Sequence, residues 1–134
     1  MVTILLSETY PNYFYIRYQG AISSADDEAF CTSILVPYLK KNRHVSLIME
    51  YQEVTEILDD EFFNSSKIDI YDPNHSIIET VSFGLVGIQK SFIRTYISNF
   101  PHKEVQHLIL KDKSEFEQKY KLNVENDFSV TFTK

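Results

Sequence analysis

Residues 81–100 constrain the fold more than any other stretch, because their apolar pattern changes from that of a strand to that of a helix. Residues 81–86 are mostly apolar or small, as in a buried strand. From residue 88 onward, apolar side chains recur at the helical spacings of three and four: Ile88, Phe92, Ile93, Tyr96, Ile97 and Phe100. Gly87 lies between the predicted strand and the predicted helix. This connection lacks the several glycines, or the Gly-Lys-Ser/Thr motif, of a phosphate-binding site. The stretch therefore predicts a strand that leads directly into a helix.

Composition indicates one globular domain. The chain has 134 residues, 43% of them hydrophobic, which is enough for a core without metal or disulfide support. Its formal charge of -6 disfavours binding to nucleic acid or to an anionic membrane. No apolar run approaches the roughly 20 residues of a membrane span, and the first residues do not resemble a signal peptide. We therefore expect a soluble, cytoplasmic protein.

The remaining patterns predict the order of elements. Alternating or apolar runs indicate strands at residues 2–6, 13–18, 45–49 and 105–110, and capping residues indicate helices from residues 24, 59 and 113. Residues 51–57 are expected to form a loop, and residues 58–71 a second helix. Pro37 should bend the first helix. Residues 1–126 are expected to form the domain. The alternating tail, residues 127–134, is expected to add an edge strand to this sheet or to a second subunit, which would make a homodimer.

Few side chains suggest chemistry. Cys31, the single cysteine, lies on the apolar side of the first helix and is expected to act as a small hydrophobe. His75 is expected in an exposed loop, while His102 and His107 have no cysteine or carboxylate at a metal-binding spacing. Glu50 follows a buried strand at the sheet edge where α/β proteins bind ligands. We expect no catalytic, cofactor or metal site, and a hydrolase that uses Glu50, Asp59 or Asp60 as general base is a minor alternative.

The order of elements resembles a known family. Residues 16–30, with Gly20 between strand and helix, are similar to the segment of STAS-type domains that runs from a strand through a glycine into a helix. The resemblance is to the branch of the anti-sigma-factor antagonist of sporulation. Residues 81–87 resemble a later core strand of that branch, and residues 116–120 resemble its closing helix. The resemblance implies an α/β fold, with a mixed sheet of about five strands and four helices mostly on one face. It also implies a role in binding rather than catalysis.

Regulatory members of this family carry a phosphorylatable serine or threonine after the central strand. Asp59 is the closest match here, whereas Thr55, Ser65 and Ser66 do not align clearly with the switch. The sequence therefore predicts no obvious phosphorylation switch, although a carboxylate can imitate phosphate in part.

Two functions follow from the resemblance. The first is a regulatory or scaffold domain that binds a protein partner through a surface formed by Glu50, Tyr51, Leu58, Asp59, Asp60, Phe62 and Phe63. The second is suggested by relatives similar to lipid-binding CRAL-TRIO domains. It is a carrier or sensor of a small apolar, lipid-like ligand between the second helix and the sheet, in a cleft lined by Phe62, Phe63 and Tyr71.

Overall fold

The computed structural model describes residues 1–133, except for the side chain of Asp60. Within this range the chain forms one six-stranded sheet in the order β5-β4-β3-β2-β1-β6. The strands are β1 (Val2–Leu6), β2 (Tyr13–Ile22), β3 (Val45–Ile57), β4 (Ile77–Phe83), β5 (Gln106–Leu110) and β6 (Ser129–Thr133). Strands β2 to β5 are parallel, whereas β1 pairs antiparallel with both β2 and β6. The predicted α/β class with a mixed sheet is confirmed.

In the described part of the chain, six α-helices connect the strands: α1 (Ser24–Phe30), α2 (Val36–Lys41), α3 (Ile68–Tyr71), α4 (Ile88–Ser98), α5 (Lys113–Tyr120) and α6 (Val124–Asp127). Ser23 caps the start of α1, because its hydroxyl accepts a hydrogen bond from the backbone N–H of Asp26 at 3.2 Å. A π-helical turn, Cys31–Leu35, joins α1 to α2. Pro37 lies just after this π-helical turn, so its missing N–H falls where the helix changes its hydrogen-bonding pattern. None of the helices in residues 1–133 is both long and apolar enough to cross a membrane.

Strand β3 is longer than the sequence pattern predicts. Residues 51–57 continue the strand and pair with the end of β2, where Gln19 lies opposite Glu53 and Ile22 opposite Ile57. The predicted loop is wrong because these residues form a two-stranded extension in which polar side chains such as Gln52 and Glu53 face solvent. A strand exposed in this way lacks the apolar run that marks the buried part of β3.

Residues 60–71, called the roof segment below, do not form the predicted continuous helix. They form two 3-10 turns, Asp60–Phe63 and Ser65–Lys67, followed by the single turn of α3. Asn64 interrupts the helix because its side-chain oxygen accepts a hydrogen bond from the backbone N–H of Ser66 at 3.0 Å. The tail forms β6 and pairs with β1 of its own sheet.

Buried side chains lie in two layers, one on each face of the sheet. The first layer joins odd-numbered β3 residues such as Leu47 and Met49 to α1, α2, the roof segment and α4. The second joins Ile48 to α5 and α6, through Phe116 and Val124. Side chains alternate across a strand, so each residue of β3 belongs to one layer only. Most helices therefore pack on the first face.

Candidate functional site

A mostly apolar cavity of about 60 Å³ lies in the first layer, between the sheet and the roof segment. Its walls come from the sheet, α1, the roof segment and α4, and include Ile16, Leu47, Met49, Tyr51, Phe62, Phe63, Ile93 and Tyr96. Three of the seven predicted surface residues, Tyr51, Phe62 and Phe63, thus meet at this cavity.

Aromatic rings form one wall of the cavity. Tyr18 stacks on Tyr51 with ring centroids 5.1 Å apart, and Phe62 meets the ring of Tyr18 edge-on at 5.2 Å. Phe62 and Phe63 make a further edge-to-face pair at 5.0 Å. Such pairs contribute about 0.5–1.5 kcal/mol beyond burial alone. The roof segment therefore contacts the sheet through several aromatic pairs.

A carboxyl group lines the same cavity. Asp27 of α1 accepts a hydrogen bond from the Tyr18 hydroxyl at 3.0 Å, and the Cys31 sulfur lies 3.9 Å from its other oxygen. Burial raises the pKa of Asp27 to about 6, although the hydrogen bond from Tyr18 acts in the opposite direction. Burial and then the charge of Asp27 raise the pKa of the Cys31 thiol, which keeps it protonated and weakly nucleophilic.

A hydroxyl group without a partner also lines the cavity. Ser65, the first residue of the second 3-10 turn, is 3% exposed, and its Oγ atom makes no hydrogen bond to the residues that the structure describes. Buried polar atoms almost always have a partner, so an isolated one commonly marks a place for water or for a ligand. The cavity therefore combines apolar walls with a carboxyl and a free hydroxyl, which is the usual composition of a small-molecule site.

The shifted pKa of Asp27 predicts a pH-dependent stability. At about pH 4 and below, the carboxyl is protonated in the folded chain, whereas near pH 7 the folded chain must hold a buried charge that the unfolded chain exposes to water. Wild-type protein should therefore lose about 1–3 kcal/mol of stability relative to Asp27→Asn as the pH rises from 4 to 7. Urea unfolding of both proteins across this range measures the difference, and parallel pH profiles would contradict the assignment.

The other predicted surface residues lie elsewhere. Glu50 faces the second layer, on the opposite side of the sheet from Tyr51. Leu58 is 54% exposed. One oxygen of Asp59 accepts a hydrogen bond from the backbone N–H of Ser24 at 3.1 Å, and this bond lowers the pKa of Asp59. The side chain of Asp60 is outside the described part of the chain. The predicted residues therefore do not form one continuous surface.

Glu50 belongs to a buried polar network in the second layer. Its side chain is 3% exposed, and its two oxygens accept hydrogen bonds from the Tyr15 hydroxyl and from Arg17 Nε, the latter at 2.7 Å. Arg17 also contacts Glu125, which pairs with Lys113 at 2.6 Å. Glu50 and Asp59, the two candidate bases whose side chains are described, thus contact different parts of the molecule.

Sequence patterns missed the polar half of the cavity. Tyr18 ends a predicted strand and Asp27 lies in the first turn of a predicted helix, and neither position indicates a cavity. Ser65 is one of the residues that do not align clearly with the phosphorylation switch. The spacing of Asp27 and Cys31, four residues apart on a helix, was the one signal that these two side chains share a face.

Comparison of the chain with models of known protein families, and with curated proteins, finds no match. The resemblance to STAS-type domains therefore stays a prediction from pattern and order. The fold defines a single-sheet α/β protein, and the residues that line the cavity are the best guide to its function.

Proposed function

We propose that the chain is a non-catalytic domain that binds a small, mainly apolar molecule with one polar end in the cavity beneath the roof segment. The observation that carries this proposal is the buried Ser65 hydroxyl, which lines the cavity without a hydrogen-bond partner among the described residues. A ligand oxygen would accept a hydrogen bond from Ser65, and the apolar remainder would contact Phe62 and Phe63.

The volume of the cavity limits what it holds with the roof segment closed. At about 60 Å³ it is several times smaller than the roughly 300–1,000 Å³ of ordinary ligand sites. A lipid-like ligand therefore requires the roof segment to move outward. Two 3-10 turns and one α-helical turn have few and poorly aligned backbone hydrogen bonds, so this segment opens at lower cost than α4 would.

Asp27 sets the kind of polar group that fits. With a pKa near 6, its carboxyl is mostly ionised at pH 7 and then accepts a hydrogen bond, whereas the Ser65 hydroxyl can donate or accept one. A neutral hydroxyl group on the ligand can also donate and accept, so it suits both residues. It suits them better than an anionic group, because the charged form of Asp27 would repel an anion.

Native mass spectrometry of the protein purified from its own host tests the proposal. We expect one small organic molecule per chain in the wild type, and at least about tenfold less in Ser65→Ala, since a polar ligand group would lose its buried partner. Ser66→Ala is the matched control, because Ser66 is the exposed next residue and lies outside the cavity. Wild-type protein without a bound molecule, or equal retention in both variants, would overturn the proposal.

Cys31 provides an independent measurement. It is the only cysteine and lines the cavity, so its rate of reaction with a thiol reagent reports access beneath the roof segment. Added ligand, extracted from the wild-type protein, should slow this reaction several-fold.

Protein binding is the second candidate function. Leu58 and Ile70 are 54% and 71% exposed, and both lie beside or within the roof segment. If a ligand moves the roof segment, it also moves these exposed apolar side chains. The ligand would then control whether a protein partner binds to them. The purification described above separates the two functions, because a stoichiometric protein without a small molecule would favour a scaffold or regulatory domain.

A further inference from the structure

Three potential metal ligands meet at the amino-terminal ends of β4 and β5. Asp69 lies on α3, His75 in the loop before β4, and His102 in the loop before β5. One ligand atom from each residue lies within 4.8 Å of the others. The Nε2 atom of His102 is 3.0 Å from an Asp69 oxygen, and the two imidazole rings have centroids 3.8 Å apart. Residues far apart in the sequence therefore converge at one place.

The buried histidine points into this cluster. His102 is 7% exposed, and its Nε2 atom has no partner with hydrogen-bond geometry in residues 1–133, despite its closeness to Asp69. In a histidine–aspartate hydrogen bond, the ring N–H points directly at the carboxylate oxygen. Two ligands of one metal ion instead both point at the ion, which lies to one side of the line between them. Asp69 and His75 are exposed, so an ion can reach the cluster from solvent.

The loop that carries His75 is held in place by a buried carboxylate. Asp72 is 1% exposed, and its two oxygens accept hydrogen bonds from the backbone N–H groups of Ser76 and Ile77, at 2.8 and 2.9 Å. Glu104 lies 3.5 Å from Nδ1 of His75. A carboxylate beside the second nitrogen of a ligating histidine commonly fixes the orientation of its ring. Such support makes the position of His75 reproducible.

We propose that Asp69, His75 and His102 bind a divalent ion of the zinc class. Two imidazole nitrogens and one carboxylate oxygen suit Zn²⁺, whereas Mg²⁺ and Ca²⁺ prefer oxygen ligands alone. Bonds of about 2.0–2.2 Å in tetrahedral geometry place ligand atoms roughly 3.3–3.6 Å apart, between the 3.0 Å that separates His102 from Asp69 and the 4.8 Å within which all three ligand atoms lie. The ion would connect α3, the end of the roof segment, to the loop before β5, and the site does not depend on the proposed ligand.

Calorimetric titration of tag-free, chelator-treated full-length protein with Zn²⁺ tests this site. We expect one ion per chain, no measurable binding in His75→Asn, and at least about tenfold weaker binding in Asp69→Asn. His44→Asn is the matched control, because His44 and His75 both have positive φ angles, 58° and 51°, which asparagine tolerates. His44→Asn should bind Zn²⁺ like the wild type.

Two further measurements keep the outcome clear. Circular dichroism of each variant without metal should match the wild type, so that lost binding is not lost folding. Co²⁺ should give the visible absorption of a four-coordinate site in the wild type and in His44→Asn only. Equal Zn²⁺ affinity of His75→Asn and His44→Asn, or an absence of binding in the wild type, would overturn the proposal.

Discussion

Replacement of Arg17 by methionine is expected to lower the free energy of unfolding by about 3–5 kcal/mol, because it leaves the buried charge of Glu50 without its cation. The two side chains are 16% and 3% exposed and are joined by a 2.7 Å contact. Methionine retains much of the length of arginine, so the loss reports mainly on charge. Urea unfolding, followed by circular dichroism, measures the effect.

Arg94→Met is the matched control for this substitution. Arg94 is an exposed residue of α4, and its replacement should change stability by less than about 0.5 kcal/mol. The double variant Arg17→Met/Glu50→Leu should lose less than the sum of the two single variants, since it removes both charges together. If Arg17→Met were as stable as Arg94→Met, the pair would not contribute to the fold.

Replacement of Gly84 by alanine is expected to cost about 2–5 kcal/mol, from strain and overlap combined. Gly84 follows β4 with a φ angle of 82°, in the left-handed region. A Cβ atom there would lie 2.4 Å from Cγ of Gln52, and 2.7 and 2.9 Å from its backbone N and Cα atoms. Gln52 cannot withdraw easily, because its side-chain oxygen accepts a hydrogen bond from the N–H of Lys113 at 2.7 Å.

Gly87→Ala separates strain from overlap. Gly87 also has a positive φ angle, 54°, but a Cβ atom there would meet nothing within 4 Å. Its ψ angle of -128° places it outside the left-handed helical region, so its replacement should cost only backbone strain, about 1–3 kcal/mol. Thermal and urea unfolding should therefore show a larger loss for Gly84→Ala than for Gly87→Ala, and equal losses would show that β3 moves aside at Gly84.

Periodicity in the sequence predicted most of the elements. The helical spacing from Ile88 onward corresponds to α4 (Ile88–Ser98), and the alternation in the tail corresponds to β6. These predictions succeeded because burial of one face leaves a regular pattern in the chain. The strand before α4 covers Ile77–Phe83 rather than residues 81–86, since apolar character continues past Phe83 into the loop that contains Leu85 and Val86.

Pattern failed where neighbours in space, rather than neighbours in sequence, decide the structure. The end of β3 is a strand because Gln19 to Ile22 of β2 pair with it. The sequence of this part of β3 has no apolar alternation that would predict a strand. The roof segment has aromatic residues at helical spacing, yet Asn64 and the packing of Phe62 and Phe63 against Tyr51 break it into short turns. Tertiary contacts outweigh weak local preferences in such segments.

The amino-acid sequence alone determined the α/β class, since this class follows from the periods at which apolar side chains recur along strands and helices. Only the tertiary structure decided which polar groups meet. Tyr18, Asp27 and Ser65 reach one cavity, and Asp69, His75 and His102 reach one cluster, from separate elements. Spacing along a chain does not specify distances between loops, because the crossovers that fold α3, β4 and β5 together set those distances.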